Sequence, residues 1–67
     1  MARIITIDAY DIITGKTEQR HINADNVIEV EELLASDGKP LTRIRMSDGT
    51  AVDIQKTVAD VAKVINA

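Results

Sequence analysis

Apolar and polar residues alternate along most of the chain, and the alternation changes period only near the end. In the first stretch, RIITIDAYDIITG, Ile5, Ile7 and Ala9 share one face while Thr6, Asp8 and Tyr10 share the other. A period of two predicts a strand. Ile4 falls with Thr6 and Asp8, so that second face also carries apolar character. TGKT (14–17) supplies the Gly of a hairpin turn, and TEQRHI returns as a strand. Its run of Glu18, Gln19, Arg20 and His21 suits the edge of a sheet, where charge discourages unwanted pairing.

NADN (23–26) gathers side chains that bond their own backbone and predicts a turn or one helical turn. VIEVEELLA follows with two readings. Ile28 and Val30 alternate with Glu29 and Glu31 as in a strand, whereas Glu-Glu-Leu-Leu-Ala favours a helix. The β-branched residues tip the choice to a strand. SDGKP (36–40) marks a turn, and LTRIRM predicts a strand with Ile44 and Met46 inward. SDGT then reverses the chain into AVDI, with Val52 and Ile54 inward. In TVADVAKVINA the period lengthens: Val58, Val61, Ala62 and Ile65 form one helical stripe. Thr57, three residues before Asp60, caps a helix from about 57 to 66.

The expected fold is therefore α+β, one domain over residues 1–67. About five antiparallel strands form a bent sheet or small open barrel, closed by the C-terminal helix. A chain of this length buries only roughly 60 % of the surface its unfolded form exposes. With no cysteine, neither disulfides nor thiolate metal sites can reinforce the core. Phe and Trp are absent, Tyr10 is the lone aromatic, and Ile, Val, Leu, Ala and Met must fill the interior. Self-association is the remaining remedy. Ile4, Ile12, Val27, Leu33 and Leu41 fall out of phase with the core set, and together they predict an exposed patch that calls for a partner or a second copy.

Charge narrows the partners. A net charge of −3 and a pI near 4.9 argue against a long nucleic acid, whose phosphates recruit clustered Lys and Arg. MARIITIDAY holds one Arg but no signal-peptide pattern, and no apolar run approaches a membrane span. A cytoplasmic protein is the expectation. The Ser, His and Asp present (Ser36, Ser47, His21) are surrounded by no nucleophile motif, and no phosphate loop or cofactor motif occurs, so no enzyme and no cofactor are expected. Glu29 and Glu31 share a strand face, yet no calcium-loop spacing accompanies them. They read as a solvated face.

Arg43 and Arg45 are the better candidates. They project from one side of one strand, roughly 7 Å apart. A guanidinium grips phosphate or carboxylate bidentately, so the pair, with Arg20 on a neighbouring strand and Tyr10 for stacking, suits a small anion such as a nucleotide at a subunit interface. Cross-strand pairing with Glu29 and Glu31 is the plainer expectation.

INADNVIEVEE, TRIRMSDGTAVDI and TVADVAKVI together resemble the small flagellar and swarming-motility proteins of the FlbD type. The positions carrying the resemblance are Asn23, Asp25, Ile28, Glu29, Thr42, Ile44, Asp48, Gly49, Thr57, Val58 and Val61, over about residues 22–65. The first hairpin departs from that family's Asn-Gly form, and SDGKP replaces a Pro-Asp turn. The resemblance implies a β-hairpin module with a closing helix that serves a larger assembly. A phage-encoded inhibitor of a host protein is another version of the same expectation. Both make the chain a non-enzymatic, self-associating interaction module.

Overall fold

The computed structural model describes residues 3–34 and 37–66. Five strands, β1 (Ile4–Tyr10), β2 (Thr17–Asn23), β3 (Val27–Leu34), β4 (Pro40–Met46) and β5 (Ala51–Ile54), precede one helix, α1 (Val58–Ile65). All the pairings are antiparallel, in the spatial order β2-β1-β5-β4-β3. The architecture is α+β, as the alternation predicts. Among the described residues no ladder joins β2 to β3, so the sheet is open rather than closed into a barrel.

The connections follow from local chemistry. At Ala24–Asn26 a single 3₁₀ turn links β2 to β3. Asn23 holds it by accepting from the Asp25 amide at 3.0 Å. At the β4–β5 turn, Asp48 accepts from the Thr50 amide at 2.9 Å and the Thr50 hydroxyl at 2.6 Å. Gly49 there has φ +89°, a conformation that a side chain disfavours. The turn predicted at 36–40 has Ser36 outside the described residues.

One boundary differs from the alternation. The strand pattern runs on through Ile12 and Ile13, but β1 stops at Tyr10. Asp11 ends it, because its carboxylate accepts from the Ile13 amide at 2.8 Å and its carbonyl from the Gly15 amide at 2.7 Å. These bonds curl residues 11–16 into a loop and leave Ile13 91 % exposed.

The core lies on one face. Ile7 of β1, Ile44 and Met46 of β4, Val52 and Ile54 of β5 and Val61 of α1 are buried together. Thr57 caps the helix by accepting from the Asp60 amide at 3.2 Å, as its spacing predicts. Thr42 is the one buried polar residue among those described, and its hydroxyl donates to the Lys56 carbonyl at 2.7 Å. That bond ties β4 to the segment leading into α1.

The segment 27–34 is a strand, but not a regular one. Val27 stands opposite Met46 and Glu29 opposite Arg45, so β3 carries one extra residue, a bulge. Val27 consequently packs against the core, and Ile28 is turned outward at 68 % exposure. Simple alternation predicts the reverse.

Candidate interaction site

Across the face opposite the core, β3, β4 and β5 set their charged residues in register. Glu31 pairs with Arg43 and Glu29 with Arg45 on one side, while Asp53 pairs with Arg43 on the other. The two arginines are used differently. Arg43 donates from Nε to Asp53 Oδ1 at 2.8 Å and from Nη2 to Asp53 Oδ2 at 3.2 Å. This bidentate bond, with the carboxylate's charge, raises the Arg43 pKa above its usual value. Arg45 lies between two glutamates, its Nε 3.5 Å from Glu29 and its Nη2 3.8 Å from Glu31.

The glutamate pairing expected from the sequence thus describes Arg45. For Arg43 the bidentate partner is Asp53, on the opposite neighbour. Two guanidiniums face three carboxylates here, which leaves the ladder with no surplus positive charge. Arg20 does not join the arginine pair as expected: on the β2 edge it stands opposite Ile7 and so projects from the core side of the sheet, 3.9 Å from Glu18. His21, across from Thr6, shares a 3.0 Å hydrogen bond with that residue's hydroxyl. No group of three or more His, Cys, Asp or Glu is arranged to hold a metal ion among the described residues.

Beside the ladder lies a cleft of about 390 Å³, lined by Tyr10, Ile12, Leu33, Leu34, Leu41 and Arg43, among others. Three of the five out-of-phase apolar residues therefore meet, with Tyr10 and Arg43 beside them. The expected single patch needs two corrections. Leu41 is 4 % exposed, since it faces Leu33 across the β3–β4 pair within the cleft. Val27 leaves the patch through the bulge. Ile4, opposite Asn23 on β2, is remote along its strand from Tyr10, so it stands apart from the cleft.

The most exposed apolar residues were not singled out by phase. Ile13, in the 11–16 loop, and Leu34, at the end of β3, reach 91 % and 90 % exposure, where loop geometry rather than alternation decides orientation. A signal for Ile13 was present in Asp11, a residue that bonds the backbone two positions on.

No helix among the described residues is long and apolar enough to cross a membrane. No protein-family model, curated protein or solved structure matches the chain.

Proposed function

We propose that the chain is a non-enzymatic, self-associating interaction module that serves as an accessory or regulatory part of a larger assembly, of the flagellar or phage-encoded kind. One observation carries the reading. Ile4, Ile12, Ile13, Ile28 and Leu34 remain more than half exposed on a chain whose buried core is small. Large apolar side chains in that number favour burial against a second surface. Of the FlbD-like motif residues, Asn23, Asp48, Gly49 and Thr57 shape turns or the helix cap and Thr42, Ile44 and Val61 are buried, while Ile28 and Glu29 stay exposed to a partner.

A nucleotide gripped by Arg43, Arg45 and Tyr10 is the competing use of the ladder's face, without Arg20, which stands opposite Ile7 and projects from the other face. Tyr10 and Arg43 do share a cleft, but the guanidinium is already committed to Asp53 and would have to exchange it. An Arg43→Ala/Arg45→Ala double variant separates the two. The interaction reading expects wild-type thermal stability to be indifferent to added ATP or GTP. A nucleotide-dependent rise in the melting temperature that the double variant loses, with assembly intact, overturns it.

A further inference from the structure

The two edges of the sheet are unlike. β3 is bulged between Val27 and Glu29, and its glutamates repel a second copy of themselves. β2 pairs with β1 along its whole length, Thr17–Asn23, with no shift of register. Its other edge is unpaired among the described residues, and Thr17 to His21 are exposed. Such an edge offers a regular row of N–H and C=O groups to another strand.

The side chains of β2 are ordered as well. Glu18 stands opposite Ala9 and Arg20 opposite Ile7, so both project from the core side of the sheet, while Thr17, Gln19 and His21 project from the other. Within the chain, Arg20 Nη2 lies 3.9 Å from Glu18 Oε2, a loose contact between side chains that are 55 % and 76 % exposed. An acid and a base on one face, flanking one residue of a free strand, are complementary to the same pair reversed.

From this placement we infer that β2 is the self-association edge, pairing antiparallel with β2 of a second copy about a two-fold axis at Gln19. The inference rests on the self-associating reading above and specifies its surface. Pairing about that axis sets Glu18 opposite Arg20 of the second copy and Arg20 opposite its Glu18, as an isologous contact requires. On the other face Thr17 meets His21 of the second copy, again twice. Two five-stranded sheets become one continuous sheet with both cores on the same side. Lys16 falls opposite Ile22, so the 11–16 loop, with exposed Ile13, borders the end of the second copy where Ile4 stands opposite Asn23.

Charge selects this register over its neighbours. An axis at Glu18 sets Glu18 on Glu18 and Arg20 on Lys16. An axis at Arg20 sets Arg20 on Arg20 and leaves Glu18 opposite Ile22. Of the three, the axis at Gln19 alone opposes unlike charges, and like charges directly opposite disfavour pairing. Mixed charge on an edge turns most strands away, and here it admits one.

Charge reversal tests the pairing with exposed side chains, so the core is left untouched. Glu18→Arg sets cation on cation twice, and Arg20→Glu sets carboxylate on carboxylate twice. By light scattering at micromolar concentration, each variant alone is expected to fall from twice the chain mass to the 7.3 kDa of one chain. Their equimolar mixture is expected to recover the dimer, since each interface then joins two acids to two bases. The chain has no native cysteine, so a disulfide reads the register. Gln19→Cys meets its own copy within the roughly 7 Å a disulfide needs and is expected to link under mild oxidation. Thr17→Cys stands roughly 14 Å from its own copy, by strand rise, and stays unlinked. Glu31→Cys, on β3, reports random collision. Suppose the wild-type protein is a dimer. If both reversed variants remain dimers, their mixture stays monomeric, or Gln19→Cys links no more than Glu31→Cys, the β2 pairing is wrong while self-association stands. A monomeric wild-type protein overturns both.

Discussion

Arg43 and Asp53 clasp each other across the β4–β5 pair through two hydrogen bonds, at 2.8 and 3.2 Å. Their side chains are 31 % and 13 % exposed, which makes this the most sheltered ion pair of those described. The Arg45 contacts are longer and wetter, and exposed pairs contribute under about 1 kcal/mol. Asp53→Ala is therefore expected to destabilise by about 1–2 kcal/mol in urea unfolding, more than Glu29→Ala or Glu31→Ala. Arg43→Lys, with Asp53 in place, should also lose part of this stabilisation, since an ammonium lacks the planar fork. Equal costs for all three carboxylates contradict the assignment.

Acid should loosen two turns. Asp48 is held below the usual carboxylate range first by the Thr50 hydroxyl and then by the Thr50 amide. Asp11 is lowered chiefly by the Ile13 and Thr14 amides. A carboxylate whose folded pKa is depressed stabilises the fold above its unfolded pKa, and loses that effect as pH falls through the folded value. The melting temperature is expected to fall as pH drops below about 4. In Asp11→Asn/Asp48→Asn the acid slope should be shallower, and an unchanged slope rules these turns out as its source.

The centre of the core allows a sharper test. Ile44 is fully buried between β3 and β5, so Ile44→Ala is expected to cost about 3 kcal/mol, and Ile44→Val about 1 kcal/mol. A chain this small has little stability to spare, and Ile44→Ala should be largely unfolded by circular dichroism at 37 °C. A cooperative native-like melt for that variant contradicts the core assignment.

Gly49 separates backbone strain from crowding. Nothing lies within 4 Å of where its Cβ would stand, yet its φ is +89°. Gly49→Ala should therefore cost about 1 kcal/mol in chemical denaturation through conformation alone. A neutral substitution means the turn is not held in this form.

Much of this fold is written as alternation. Ile5, Ile7 and Ala9, then Ile44 and Met46, then Val52 and Ile54, line the inner face because period two forces them there, and α1 follows from its stripe and its Thr57 cap. Two kinds of information are absent from such a pattern. The first is phase within a bulge: one extra residue between Val27 and Glu29 exchanges the fates of Val27 and Ile28. The second is which of two neighbours wins a side chain. Arg43 stands between Glu31 and Asp53, and both are sound partners by type. Only the three-dimensional reach of each carboxylate selects Asp53. Leu41 shows the same limit: it is out of phase with the core, yet it stands opposite Leu33 in the ladder and is 4 % exposed.

Self-association is the central claim, and the solution mass tests it most directly. Multi-angle light scattering at micromolar concentration is predicted to give about twice the chain mass of 7.3 kDa. Glu18→Arg should shift that mass toward the monomer while leaving the circular dichroism spectrum unchanged. A wild-type protein that stays at 7.3 kDa across the accessible concentration range contradicts the account.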